Sequence, residues 1–411
     1  MRYHRRLAFA AENTRGEGIL CESMPQTKTF PAEAHTVKEQ SFELQLPRPQ
    51  AFFPGHLSNM KILYIAGREE SYSRTRIVIR ALEMRGHEVI KCLPADKSFK
   101  HYPGILWRAM RAAPACDIVL TGFYGQLLTP AMRLLTWKPI VFDMYITTYD
   151  TMVFDREKAK PGSFMAKVYA WADWLSYKCA NLSILDSDHV IQHFGAYART
   201  KTDRMRRLFL AVDDSVIHPR PRVRTSHEFL VHFHGEFIPF HGVRHILQAA
   251  KLLENEGVQF QIVGRGLTFE QDMALMKELG LQNVRILDPV PYAGLASLMA
   301  EADICLGIFG NNDRAELVIT NKANEAIGMG KPLITRRNAP VQELLKHEES
   351  AYFVEPADPR ALADAILHLK RDPGLRERIA HNGHQRFLQY GTVEKLGEGL
   401  ERILKEALGR A

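Results

Sequence analysis

Lys322 and Glu325 stand three positions apart within the stretch DICLGIFGNNDRAELVITNKANEAIGMGKPLIT, residues 303–335. A cation and a carboxylate at that spacing share one face of a helix. Thr320 or Asn321 stands at the start of the helix, and such a residue can cap it by accepting from an unpaired backbone N–H. Gly328, Gly330 and Pro332 follow it, and they stop a helix and prevent its restart. The first turn, 321–323, is therefore expected to offer free N–H groups and the positive end of a dipole, with Lys322 as an added point charge. That combination suits a phosphate. Glu325, one turn further in, could accept from sugar hydroxyls. The chemistry implied is capture of a nucleoside diphosphate. A capped surface helix, with Glu325 only offsetting the dipole, is the plainer alternative.

Such a helix needs a frame. Apolar runs at 304–309 and 333–335 bracket it as strands, and in parallel α/β sheets ligands gather at the carboxyl ends of strands. The same alternation begins at Met60, with a strand at 61–66, a loop at 67–75, a helix at 76–85 ended by Gly86, and a strand at 87–93. Strands follow at 117–122, 139–143 and 182–185. The helix at 163–180 is expected to bury a stripe of Val168, Trp171, Leu175 and Cys179. Pro219 and Pro221 mark a linker near 211–223. Strands at 229–234, 259–263 and 284–287 then alternate with helices at 242–255, 270–279 and 292–300. Four more helices, at 341–345, 359–371, 373–389 and 393–408, close the chain. The pattern is a doubly wound α/β protein. No GxGxxG follows the first strand, so a nicotinamide dinucleotide is not expected.

The run VITNKANEAIGMGKPLIT resembles the donor-site segment of glycosyltransferase family 4, with its helix-borne glutamate, small residues, Gly-Lys-Pro and apolar strand. The resemblance implies the GT-B fold, two Rossmann-like α/β domains facing across a cleft. Residues 60–220 would form an acceptor domain and 221–390 a nucleotide-sugar domain, with 391–411 a helix returning toward the first. It also implies retaining transfer from a nucleoside-diphosphate sugar to a glycan or lipid-linked acceptor. The donor is then a co-substrate, and no cofactor or metal is expected. Glu325 takes the family's ribose contact. The family's other glutamate falls on Leu317, and Glu316, one position earlier, is the candidate for the contact with the transferred sugar. HGEFIPFHG, residues 234–242, matches the family's glycine-rich turn through Gly235. Where relatives carry Arg and Lys toward the diphosphate, this chain has Glu236 and His241, so Lys322 is the candidate replacement. Gly264, opening Gly264-Arg265-Gly266, could approach the base or ribose or simply form a turn.

Further candidates lie in the first half. In GREESYSRT, residues 67–75, Gly67 lets backbone come close and Arg74 could clamp a phosphate. The long loop at 142–163 holds Asp143, Asp150 and Arg156. Asp143 falls near a family histidine that faces the sugar, while Arg156 could equally pair with Asp155. Asp186-Ser187-Asp188 spells a metal-binding DxD but sits where a helix would be capped. His232, His234 and Glu236 alternate as on one strand face, a pocket wall or a metal face.

A length of 411 residues leaves room for two domains. No apolar run approaches the ~18 residues of a membrane span, and the N-terminus lacks a signal-peptide core. Five scattered cysteines with no CxxC fit a reducing, cytoplasmic setting. Residues 1–59 are expected to be a mostly disordered leader, with Met60 a candidate start. Residues 1–220 carry 31 Lys and Arg against 22 Asp and Glu, and 221–411 carry 23 against 25. A basic first half could meet an anionic membrane surface, and residues 97–114, with Trp107 among basic residues, are the candidate contact. No nucleic-acid motif is present. Two rival functions share the fold: a non-catalytic nucleotide-sugar-binding or regulatory protein, and a nucleotide-sugar epimerase.

Overall fold

The computed structural model describes residues 59–224 and 226–409, so the expected leader, but for residue 59, lies outside the described residues; Met60, the candidate start, is described and buried. Six strands form the first sheet: β1 (Lys61–Ile65), β2 (Glu88–Cys92), β3 (Ile118–Thr121), β4 (Ile140–Asp143), β5 (Leu182–Leu185) and β6 (Met205–Arg207). All pairings are parallel, in the order β2-β1-β3-β4-β5-β6. Helices α1 (Ser73–Met84), α2 (Tyr102–Ala112), α3 (Leu128–Leu135), the short α4 (Thr148–Asp150), α5 (Phe164–Cys179) and α6 (Asp188–Tyr197) connect them. The central strands β3, β4 and β5 are buried throughout, which is why they read as continuous apolar runs rather than alternations.

The second sheet repeats the plan: β7 (Phe229–His234), β8 (Val258–Val263), β9 (Val284–Leu287), β10 (Ile304–Leu306), β11 (Leu333–Arg336) and β12 (Tyr352–Val354). These strands are also parallel, in the order β12-β11-β10-β7-β8-β9. Its helices are α7 (Val243–Leu252), α8 (Phe269–Leu279), α9 (Tyr292–Ala300), the single turn α10 (Asp313–Glu316), α11 (Asn321–Gly328), α12 (Ala339–Leu344), α13 (Pro359–Arg371) and α14 (Pro373–Tyr390). The molecule is thus two Rossmann-like α/β domains. The last helix, α15 (Val393–Ala407), leaves the second domain and buries Leu396, Leu400, Ile403 and Leu404 among α1 and β1 side chains of the first. Arg85 donates to Glu401 at 2.7 Å, and Arg206 pairs with Glu406, fixing that return.

The carboxyl ends of the sheets face one another. Leu317, just past α10, packs with Phe142, Met144 and Leu185 of the first domain. Glu343 of α12 accepts from the backbone N–H groups of Asp188 and His189, both at 2.8 Å, at the start of α6.

Three expectations are corrected. β6, β12 and α10 have no counterpart in the sequence reading, because three- and four-residue elements carry too little pattern. The first helix starts at Ser73, not residue 76, so Arg74 is helical and buried rather than a loop charge. Helix α5 is turned over. Val168 and Trp171 are exposed, Leu175 and Cys179 only partly covered, while Ala166, Asp173, Ser176 and Tyr177 are buried. The reason is polar. Asp173 accepts from the N–H groups of Thr148 and Tyr149 at 2.8 Å each, and Ser176 donates to the Gln126 carbonyl at 2.6 Å. These groups would otherwise be buried unsatisfied.

Candidate functional site

Helix α11 sits between β10 and β11, and its residues Lys322 to Gly328 are all buried. Thr320 holds the N-cap position in extended conformation, but its side chain caps nothing. The Ala323 N–H instead donates to the Thr320 carbonyl at 3.0 Å, so the open start of the helix is Asn321, whose side chain is exposed. Thr320 and Asn321 thus stand at the entrance, as backbone rather than capping groups. Met329 and Gly330, the latter with φ +64°, end the helix.

Lys322 points beneath the β7–α7 turn. Its Nζ donates to His241 Nε2 at 2.9 Å, and His241 Nδ1–H donates to the Glu236 carbonyl. Gly235 has φ +143°, and a Cβ there would meet Lys322 Cε and Nζ at 3.0 Å. Gly264 has φ +148°, and a Cβ there would strike the Gly235 carbonyl. Only glycine suits both positions. Gly264 therefore lets two turns stack, and Gly235 leaves room for the amine below it. Burial pulls the Lys322 ammonium down to about 7, against the opposing charges of Glu325 and Glu236. Burial, and then Lys322 itself, hold His241 well below the ordinary histidine range. His241 is thus a neutral acceptor.

Glu325 terminates a buried polar chain that the sequence reading did not identify as such. Gln261 Nε2 donates to His232 Nδ1 at 3.1 Å, His232 Nε2 to His234 Nδ1 at 3.2 Å, and His234 Nε2 to Glu325 Oε2 at 2.8 Å. Burial keeps His232 neutral, well below the ordinary range, which fits one N–H and one lone pair on that ring. The Tyr292 hydroxyl lies near Glu325 and favours its charged form. Burial alone would raise this carboxyl, but His234, Tyr292 and Lys322 outweigh it and hold it below the usual carboxylate range. His232 and His234 are therefore committed along β7, and Glu236 lies beyond the strand's end. Among the described residues no group of three or more His, Cys, Asp or Glu is arranged to hold a metal. Ser187 of the DxD-like run caps α6 by accepting from the Val190 N–H.

The other candidates divide. Asp143 ends β4 and binds Arg74 through two parallel bonds, Nε to Oδ2 at 3.0 Å and NH2 to Oδ1 at 2.9 Å, both groups buried. Arg74 also lies 5.2 Å from the Tyr145 ring centre, and its NH1 has no hydrogen-bond partner among the described residues. The clamp expected for a phosphate is closed on a carboxylate. Asp150 accepts from the Thr147 hydroxyl at 2.6 Å and lies 2.9 Å from His193 Nε2. Gly67 gives its N–H to the Phe123 carbonyl at 2.8 Å. Arg156 is exposed and pairs loosely with Asp155 at 3.7 Å. Glu316 is half-exposed and pairs with the buried Arg336. Tyr145, Asp186, Arg314 and Leu317 line a pocket of only about 10 Å³, so the domains are closed on one another there.

Residues 228–372 match the family model described as glycosyl transferases group 1. N-acetyl-alpha-D-glucosaminyl L-malate synthase of Bacillus anthracis is 24% identical over 203 residues, 49% of this chain and 51% of that protein. Lipopolysaccharide core biosynthesis glycosyltransferase LpsD of Rhizobium meliloti (strain 1021) is 29% identical over 165 residues, 38% and 43% of the two. The chain thus spans about half the length of these curated relatives. Anabaena Alr3699/HepE, solved in complex with UDP, superposes with a TM-score of 0.67 at 18% identity, covering 84% of this chain and all of that one. Sucrose-phosphate synthase (tll1590) from Thermosynechococcus elongatus gives 0.67 at 15%, covering 85% of this chain and all of that one. The fold is GT-B.

Proposed function

We propose that this protein is a glycosyltransferase that moves a sugar from a nucleoside-diphosphate sugar to a glycan or lipid-linked acceptor, with retention at the anomeric carbon. The observation that carries the reading is the pairing of Lys322 and Glu325 on one buried helix, the first beneath the Gly235 turn and the second fixed by His234. The match of 228–372 to glycosyl transferases group 1 and the UDP-bound relative of like fold support it. In this reading Lys322 and the start of α11 meet the charge that grows on the departing diphosphate, and a fixed cation stabilises that charge more than the ground state. Glu325 accepts from the ribose hydroxyls, its orientation set from behind by His234. Fixed positive groups supply what a metal would otherwise supply, so no cofactor is required. Glu316 reaches the transferred sugar only if it leaves Arg336. Asp143, Asp150 and Arg74 shape the acceptor side. Cytoplasmic placement, with peripheral contact to an anionic membrane surface, belongs to the same proposal.

The test is a thermal-shift and product-release series with uridine, guanosine and adenosine diphosphate sugars. One donor class should raise the melting temperature, stabilising the fold by about 2.7 kcal/mol at a hundredfold excess over Kd, and release free nucleoside diphosphate. Lys322→Ala should lose both responses. Unchanged KM and turnover in that variant would sink the reading. Tight binding without release, whatever the acceptor, would turn it toward the regulatory alternative, and release of an epimerised sugar nucleotide toward the epimerase.

A further inference from the structure

Helix α5 carries its apolar stripe on the wrong side for a soluble domain. Phe164 and Trp171 are 79% and 57% exposed, Val168 is exposed between them, and Leu175 is half-buried. Positions 164, 168, 171 and 175 run along one line of a helix. The helix cannot roll to hide them, because Asp173 and Ser176 hold its other face through bonds to Thr148, Tyr149 and Gln126. At its C-terminal end Arg133 of α3 donates to the Cys179 carbonyl at 2.9 Å. Beside that junction Leu134 is 88% and Trp137 98% exposed. Three of the four tryptophans, Trp107, Trp137 and Trp171, are among the exposed large side chains, all on the first domain. The exposed large apolar side chains of the second domain are aliphatic and scattered.

Charge selects the occupant. Residues 127–138 hold Arg133 and Lys138, and residues 158–178 hold Lys158, Lys160, Lys167 and Lys178. Their one acid, Asp173, is buried; Glu157 lies just before them. Tryptophan and aliphatic side chains flanked by lysines fit the interface of a bilayer with anionic headgroups, where rings sit at headgroup level and amines meet the lipid charge. We propose that the first domain docks on an anionic bilayer through the outward stripe of α5, continued by Leu134 and Trp137. The stripe starts at Phe164, at the carboxyl edge of the sheet, so docking would bring the cleft side of the domain near the lipid surface. This places the membrane contact proposed above on α5 and the end of α3 rather than on residues 97–114, and it does not depend on the reaction.

The test is co-sedimentation of the full chain with phosphatidylcholine vesicles, with and without phosphatidylglycerol. Binding should require phosphatidylglycerol and weaken with salt. The double variant Val168→Gln/Trp171→Gln should partition about tenfold less, with an unchanged melting curve. In the unaltered protein, lipids brominated along the chain should quench tryptophan emission. Equal partition of variant and wild type, or no quenching, overturns the proposal. So does a dimer in solution that the double variant splits, since a second copy would then own the stripe. Nucleoside-diphosphate release from a soluble donor, measured without vesicles, should be the same in both proteins. A failure of that assay in both would count against the reaction and leave the docking result standing.

Discussion

Helices α11 and α5 break the same rule in opposite directions. Lysine and glutamate are rarely fully buried, and a large apolar stripe is rarely left in water. Yet α11 buries Lys322 and Glu325, while α5 turns Phe164, Val168 and Trp171 outward. The two inversions are compensated differently. Glu325 has a hydrogen bond from His234, with Tyr292 nearby. Among the described residues, Lys322 has only a neutral imidazole within hydrogen-bond reach. On α5 the inner polar groups are satisfied and the outer apolar ones are not. In the readings proposed above, these are the side chains that meet a partner: an anion for Lys322, an apolar phase for Trp171.

The sharpest way to break this comparison is Lys322→Met. If the amine is kept for a ligand, kcat/KM for the donor should fall ~10²–10³-fold. Stability should hold or rise, because an incompletely paired buried charge is removed. A large loss of melting temperature with little change in kinetics would make Lys322 structural. The pH dependence sharpens it. The free-enzyme profile of kcat/KM should fall about tenfold per pH unit above 7 as the amine loses its proton. The linkage has the opposite sign. The folded amine titrates at about 7 and the unfolded one near its ordinary 10.5. Between those values the unfolded chain binds the extra proton, so this group makes stability rise with pH there. Lys322→Met should abolish that slope, measurable by denaturant titration across the window.

On α5 the matching inner substitution is Asp173→Ala. It strands two backbone N–H groups and should cost about 1–3 kcal/mol. Burial raises the Asp173 carboxyl to about 7, so the folded state holds a proton that the unfolded state has lost between 3.8 and 7. Its contribution to stability therefore falls as pH rises through that window. Asp173→Asn should flatten the melting-temperature profile between those limits. A profile unchanged by Asp173→Asn would show that the carboxyl does not titrate there.

The sheets were legible in the sequence because buried parallel strands are unbroken apolar runs. β5, β7 and β9 fall on the residues the pattern marks, although His232, His234 and Arg285 interrupt the runs in β7 and β9 and β9 is only partly buried. Lys322 and Glu325 stood out because cap residues and glycines frame a short helix. The orientation of α5 was not legible. Its stripe is periodic whichever way it faces, and only the contacts of Asp173 with a loop far off in sequence decide. The polar chain behind Glu325 escaped for a similar reason. Gln261 and His232 are partners in strand register, β8 beside β7, and a single sequence does not show register. Arg74 read as an open clamp because its partner Asp143 lies 69 positions away.

A smaller effect is expected from that chain. His232→Leu removes one link two residues behind the carboxylate and leaves His234 in place. Donor KM should rise by about 3–10-fold, the worth of one hydrogen bond, with kcat little changed, because ribose positioning acts alike in the bound substrate and the transition state. His232→Gln, which can both donate and accept, should recover part of the loss. Equal KM values for all three proteins would mean that His234 holds Glu325 unaided.

The smallest expected effect is the one that separates the two helices most cleanly. Without lipid, Val168→Gln/Trp171→Gln should change stability by no more than about 0.5 kcal/mol, as for surface positions generally, although it replaces two apolar side chains on a regular helical stripe. Were the stripe packed against protein, truncation of that kind would cost about 2–5 kcal/mol. A denaturant midpoint that falls by that larger amount would place the stripe inside an interface already formed in solution. A midpoint that holds leaves Lys322 and Trp171 as two residues of opposite chemistry under one constraint: each is set in the less favourable medium by the packing of its helix, Lys322 with only the neutral His241 ring to receive its amine among the described residues.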